Sequence, residues 1–279
     1  MQVKPLISII TVNLNDVKGL KRTIASVFEQ TFMEFEYIVI DGGSTDGSKE
    51  FIESHSNKID YWVSEKDSGI YNAMNKGIKM ASGEYLLFLN SGDWLFNKKV
   101  LVIVTKELVD CDMLYGNIVK AFTDGRRIPD NAVGAPKDIT LKTFFRGSLN
   151  HQALFINHKL FEIYGLYDEE LQIVSDWKFS LIALGLNDSK VKFIDQEISF
   201  YDMNGISNNS SLRNVEREKV FRDLIPRSIY FDYKRLIQLE NDFNSSRNVK
   251  FRGMEKHRVA RKLNSVMFRI FSFLLAGKL

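Results

Sequence analysis

The sequence predicts an α/β fold: a doubly wound, mixed but mainly parallel sheet, followed by a basic helical C-terminal extension. Three observations predict it. Short β-branched or aromatic runs alternate with amphipathic stretches from Leu6 to about residue 90. The runs are near-continuously apolar, as strands covered by helices on both faces must be. Beyond roughly Ser211 the chain turns helical and basic.

In chain order the alternation gives strand Leu6–Val12, helix Val17–Glu29, strand Phe35–Ile40, helix Ser44–Ser54, strand Asp60–Val63, helix Gly69–Met80 and strand Tyr85–Leu89. This is the pattern of βαβ units around a parallel sheet. After residue 93 it becomes less regular. A helix at Lys98–Leu108 precedes a hairpin-like pair, Met113–Ala121 and Arg126–Pro129, turned by Thr123-Asp124-Gly125. A helix around Asp138–Phe145, a strand at Ala153–Ile156, a helix at Ser175–Leu184 and a strand at Val191–Phe200 follow. Turn formers stand after three of the early strands: Asn13 and Asn15, then Asp41-Gly42-Gly43-Ser44, then Asn90-Ser91-Gly92-Asp93. Ligands of open α/β sheets bind outside the carboxyl ends of the strands, so these clusters should meet at one crevice.

A length of 279 residues and a 44% hydrophobic content suit one large domain with an appendage. A formal net charge of +3 calls for no nucleic acid partner. Cys111 is the only cysteine, which excludes an internal disulfide framework and a thiolate-rich zinc site and fits a reducing compartment. The apolar stretch near the start ends at Asn13, too short for a secretion signal or a membrane span, so the expected location is cytoplasmic.

The glycines of Asp41–Ser48 let the backbone turn sharply and approach a ligand, while the Asp41 carboxylate can accept hydrogen bonds from a base or ribose. A plain strand-to-helix turn capped by Asp46 fits the same residues. Neither the G-x-G-x-x-G spacing nor a P-loop lysine is present, which disfavours a dinucleotide dehydrogenase or a kinase-like NTPase. Asp93 can help hold a hard divalent cation whose other ligands are diphosphate oxygens and water, or it can cap its turn. Asp176, near a predicted helix start, reads as a general base or as an ordinary first-turn acid. His151 precedes a strand, and His55, His158 and His257 have no metal-ligand spacing with it.

Four runs carry a resemblance: Ile7–Asn13, Ile38–Ser48, Glu65–Gly77 (EKDSGIYNAMNKG) and Ser82–Asp93 (SGEYLLFLNSGD). In this order and spacing they resemble the family-two inverting glycosyltransferases with the GT-A fold, in particular the bacterial polysaccharide-assembly branch. His151-Gln152 and Ser175-Asp176-Trp177 extend the likeness to about residue 200. The resemblance implies that Thr11, Asn13 and Asp41 line a nucleoside pocket, with Asp41 reading a uracil-like edge. It implies that Lys66, Asp67 and Asn75 border ribose and diphosphate beside Ser91 and Gly92. Asp93 would be the last position of a D-x-D metal motif served by Mn2+ or Mg2+, and Asp176 the base. His151, Gln152 and Trp177 would lie on the acceptor side. Residues 1–210 would form the catalytic domain, donor half to about 95 and acceptor half from about 96, with 211–279 as the extension. Three positions depart from the family pattern: Ser91 at the first D-x-D position, Ser175 where many relatives have Glu, and Asn72 where close relatives often have Asp.

The implied reaction is a single displacement that moves a hexosyl or N-acetylhexosaminyl group from a nucleotide diphosphate-sugar, UDP by default, to a glycan or lipid-linked glycan. Two other readings stay open. A sugar nucleotidyltransferase would carry a glycine-rich basic loop after the first strand, which Thr11–Asn15 lacks. A non-catalytic nucleotide-sugar-binding protein would share the fold without turnover. In the extension, Lys256, Arg258, Arg261, Lys262 and Arg269 surround Val259, Leu263, Val266, Met267, Ile270, Phe271 and Leu274 at helical spacing. Such a helix lies on an anionic inner membrane leaflet or packs on protein.

Overall fold

A computed structural model describes residues 4–130, 139–203 and 209–276. β1 (Ile7–Asn13) lies inside the sheet, parallel to β2 (Phe35–Asp41) on one side and to β4 (Tyr85–Phe88) on the other. β3 (Tyr61–Ser64) adds in parallel beyond β2. Helices α1 (Val17–Phe28), α2 (Ser48–Ser54) and α3 (Ile70–Met80) make the crossovers. Every residue of β1 is buried, which is why that strand is apolar on both faces. α1 turns Leu20, Ile24 and Val27 into the core at helical spacing. Its start is held by Asp16, whose carboxylate accepts from the Gly19 N–H at 2.9 Å. α2 begins at Ser48 rather than Ser44, because Gly47 stands at φ 92° and closes the preceding turn.

The remaining elements of the first unit are β5 (Trp94–Leu95), α4 (Val100–Glu107), β6 (Met113–Ala121), β7 (Arg127–Asp130), α5 (Leu141–Arg146), β8 (Leu154–Asn157), α6 (Lys159–Tyr164), α7 (Ser175–Ser180), β9 (Val191–Asp202) and α8 (Ser210–Leu224). The strand order is β3-β2-β1-β4-β8-β6-β9-β5, with β7 paired to β6. β8 runs antiparallel to both β4 and β6, so the sheet is mixed, as expected. β6 and β9 pair in parallel with a register shift between Tyr115 and Ile118. Gly116 makes that shift possible, since a Cβ there would lie 2.6 Å from Ile198 Cγ1.

Two elements escaped the sequence reading. β5 has two residues and α6 has six, both too short to show a period. The helix expected from Asp138 starts at Leu141 behind a Thr140 capping box, and Asp138 itself lies outside the described residues. The helix expected at Ser175–Leu184 is α7 continued by a wider π-type turn, Leu181–Leu186.

The chain divides into two compact units after Leu224. The helical stretch expected from residue 211 thus begins inside the first unit, whose loop 172–173 is tied to α8 by Glu216: its carboxylate accepts from the N–H groups of Gln172 (2.7 Å) and Ile173 (3.0 Å). The second unit contains α9 (Arg227–Phe243), α10 (Ser246–Glu255) and α11 (Arg258–Leu275). Within it, α10 and α11 are joined by an edge-on Phe251–Phe268 pair and by Asn264 donating to Glu255 at 2.7 Å.

Candidate active site

The ends of β1, β2 and β4 meet as expected. Asn13 stands beside Asp41 in the β1–β2 register, Gly42 N–H donates to Asn13 O (2.8 Å), and Ser91 N–H donates to Val12 O (3.0 Å). Asp41 is fully buried. One of its oxygens accepts from Asn13 Nδ2 (2.7 Å) and Ser44 Oγ (2.6 Å), the other from Ser44 N (3.0 Å) and Ser64 Oγ (2.6 Å). Burial pushes this carboxyl up, but the donors from Ser44, Ser64 and Asn13 outweigh it and hold the group below the usual carboxylate range. Asp41 is therefore the organiser of the turn, with its acceptor capacity taken, rather than a group facing the opening. Asn13 Oδ1 is a buried acceptor without a partner among the described residues.

Two more expected lining residues are turned elsewhere. Thr11 is buried, and its hydroxyl donates to Leu89 O (2.8 Å) and contacts Tyr37 Oη (3.1 Å). Asn75 clasps the loop before α7. Its Oδ1 accepts from Tyr167 N (3.0 Å), and its Nδ2 donates to Tyr167 O (2.9 Å) and Glu169 Oε1 (2.8 Å). Lys66 and Asp67 lie beside the Gly42–Gly43 turn: a Cβ on Gly42 would lie 3.0 Å from Asp67 Oδ2, and one on Gly43 would lie 3.2 Å from Lys66 N. Asp67 accepts from Lys76 at 2.6 Å, while Lys66 is exposed.

The Asn90–Asp93 turn sits on α1. Gly92, at φ 97°, takes Arg22 on its carbonyl (2.7 Å), and Arg22 also pairs with Asp202 (2.6 Å). Ser91, half-buried, lies between. Asp93 is buried, accepts from the Asp202 N–H at 2.9 Å, and has its pKa pushed up to about 7, burial being the largest cause. No cluster of three or more His, Cys, Asp or Glu able to hold a metal occurs among the described residues. A cation at Asp93 would therefore take most of its ligands from substrate phosphates and water.

A chain of polar contacts leads from this turn to Asp176 in the first turn of α7. His151 Nε2 meets Asn90 Nδ2 at 3.2 Å, His151 Nδ1 meets Asp176 Oδ2 at 3.2 Å, and Tyr71 Oη donates to Asp176 Oδ1 at 2.8 Å. Burial pushes the Asp176 carboxyl up, but His151 and Tyr71 outweigh it and the net is downward. Burial pushes His151 down, but Asp176, with help from Asp93, outweighs it and the net is upward. Each partner thus favours the charged form of the other. With its proton on Nδ1 directed at Asp176, the His151 ring can accept at Nε2 from the Asn90 amide.

Beyond Asp176 opens a cavity of about 550 Å³ lined by Asn150, His151, Gln152 and Trp177 among others. Gln152 and Trp177 are buried, and the Trp177 indole N–H donates to Gly147 O at 3.0 Å. Sequence reasoning missed Tyr71, Asn90 and Asp202. Tyr71 and Asn90 lie inside the quoted motifs, next to residues that were singled out. Asp202 had no signal, because its place comes from β9 running beside the Asp93 turn.

Comparison with known proteins gives the family. Residues 8–161, more than half the chain, match the family described as Glycosyl transferase family 2. The chain is 35% identical over 189 residues to an uncharacterized glycosyltransferase of Mycobacterium tuberculosis, covering 66% of this chain and 70% of that protein. It resembles the structure of S. aureus TarS 1-349 with TM-score 0.59 and 25% identity, over 70% of this chain and 60% of that one. TarS 1-349 has also been solved in complex with UDP-GlcNAc, a structure this chain matches with TM-score 0.60 and 21% identity over 86% of itself and 67% of that chain. It shares its fold with the mannosyltransferase PcManGT from Pyrobaculum calidifontis, solved with GDP-Man and Mn2+ (TM-score 0.57, 13% identity, 95% and 84% covered). This chain belongs to glycosyl transferase family 2, and its fold is of the GT-A type.

Proposed function

We propose that this protein is an inverting glycosyltransferase that moves a sugar from a nucleotide diphosphate donor, UDP-sugar first, to a hydroxyl of a glycan or lipid-linked glycan in cell-surface polysaccharide assembly. The observation that carries this reading is the contact chain Asn90–His151–Asp176–Tyr71, which links the Asp93 turn to an ionised carboxylate at the mouth of a cavity. The UDP-GlcNAc complex of TarS supports the donor class, and the Mn2+ of PcManGT supports a divalent cation.

In this reaction Asp176 takes the proton of the acceptor hydroxyl as its oxygen bonds the anomeric carbon, and the bond to the diphosphate oxygen breaks with its electron pair leaving on the nucleoside diphosphate. Tyr71 and His151 hold the Asp176 carboxylate in place. Asn13 Oδ1, the open acceptor beside Asp41, receives a donor N–H from the base. Asp93 would hold Mn2+ or Mg2+, which supplies charge neutralisation on the departing diphosphate.

A nucleoside diphosphate release assay across UDP-, GDP- and dTDP-sugars, with and without Mg2+ or Mn2+, tests the function. Release above the rate without enzyme is expected for one nucleotide class; no release with any donor and acceptor preparation would leave a binding protein. Asp41→Ala, which frees Asn13, Ser44 and Ser64 at once, should weaken nucleoside diphosphate binding by at least about tenfold in calorimetry. Unchanged affinity would remove the pocket from this end of the sheet.

No described helix is long and apolar enough to cross a membrane. On α11, Val259, Leu263, Val266, Met267, Ile270, Phe271 and Leu274 are all exposed. This supports peripheral binding to the inner face of the cell membrane, where lipid-linked acceptors lie. Removing residues after Lys256 should abolish sedimentation with anionic liposomes; sedimentation that persists would place the membrane contact elsewhere.

A further inference from the structure

The cavity beside Asp176 is cationic. Its lining includes Lys120, Arg146, Arg213 and Arg217 against the carboxylates Asp130 and Asp176. Asp130 is paired with Lys120 at 2.6 Å, and Asp176 with His151 and Tyr71. Arg213 and Arg217 stand four residues apart on α8, hence on one face of it. That helix is firmly seated: Glu216 binds two backbone N–H groups, and Phe221 packs edge-on to Trp177 at 5.0 Å and stacks on Phe145 at 4.1 Å. The Arg217 guanidinium lies 4.8 Å from the Trp177 ring centroid, and its Nε is buried without a hydrogen-bond partner among the described residues. Burial, with the like charge of Arg213 behind it, pushes the Arg217 pKa down to about 10, so the group remains a cation at neutral pH.

Arg217 is half-buried, and its buried Nε donor is costly unless a ligand completes it. A planar guanidinium best receives a phosphate or a carboxylate. The residues of the donor crevice, Asn13, Asp41 and Asp93, do not line this cavity. We infer that the acceptor carries an anionic group, a phosphate or a uronate-type carboxylate close to its attacking hydroxyl, received by Arg217 with Arg213 beside it. This rests on the reading of Asp176 as the base, which makes its cavity the acceptor side.

The test is calorimetric titration of the full chain, first saturated with UDP and Mg2+, with inorganic phosphate, methyl glucuronide and neutral methyl glucoside. Saturable binding of phosphate or glucuronide with none of the glucoside is expected, at least tenfold weaker in Arg217→Gln and partly restored in Arg217→Lys. Tighter phosphate binding points to a phosphate-bearing acceptor, and tighter glucuronide binding to a uronate. The inference is overturned if neither anion binds, if Arg217→Gln binds them as well as the wild type, or if UDP displaces them, since the cations would then serve the donor diphosphate. Should Arg217→Gln fail to fold, the UDP competition in the wild type and the Arg213→Gln variant decide by the same outcomes. Failure of UDP itself to bind would count against the donor pocket, not against the anion site, which phosphate reports without UDP.

Discussion

Asp176→Asn is expected to lower kcat by about two to four orders of magnitude while nucleoside diphosphate affinity stays near the wild-type value. The amide keeps the size of the carboxylate and can still accept from Tyr71, but it cannot take a proton. It also removes the negative partner of His151, which is the main reason that imidazole titrates above its ordinary value. The His151 ring signal should therefore titrate at lower pH in the variant, a readout that a merely structural role at residue 176 would not give alongside intact nucleotide binding. Because the folded-state pKa of Asp176 lies below its ordinary value, its carboxylate contributes stability above that ordinary value that is lost as pH falls through the folded one. The variant should thus lose stability at neutral pH and little at strongly acidic pH. Near wild-type turnover would move the base elsewhere, with Glu169 and Asp168 next in line.

Asp93→Asn should remove activation by divalent cations and lower kcat/KM by about 10²–10³, while making the metal-free protein more stable at pH 8. The sign follows from burial. An acid raised from 3.8 to about 7 binds more protons when folded than when unfolded, so stability falls as pH rises across that window. The ionised form costs up to about 4 kcal/mol at pH 8 in the absence of a cation. A neutral amide removes that cost and still accepts from the Asp202 N–H. The same pKa makes the cation compete with a proton, so the apparent metal affinity of the wild type should drop steeply below about pH 7. Thermal melts with and without EDTA at pH 6 and pH 8, beside metal titrations of activity, check both halves. A variant that keeps metal activation, or melts lower at pH 8, would exclude Asp93 as the metal-facing carboxylate.

Most of the sheet was legible because β1 and β4 are buried throughout and β2 from Tyr37 onward, which makes them mainly apolar, and because their turns are marked by Asn, Asp and Gly. That the turns after β1, β2 and β4 meet followed from strand polarity alone. What the chain does not announce is which side chains face the opening. Thr11, Asp41 and Asn75 sit in the motif positions, yet each is buried and bonded to its own neighbours. That depends on pairings such as Ser64 with Asp41, across 23 residues, and Asn75 with Tyr167, across 92. Tyr71 and Arg217 reach Asp176 and its cavity from α3 and α8, helices whose relation to α7 only the assembled fold sets.

Single displacement by Asp176 is tested most directly by following the reaction with an α-linked nucleotide-sugar by proton NMR and reading the first-formed glycoside. A β-linked product appearing together with nucleoside diphosphate is the predicted result. An α-linked product would mean retention of configuration and would contradict a mechanism with one base and no covalent intermediate.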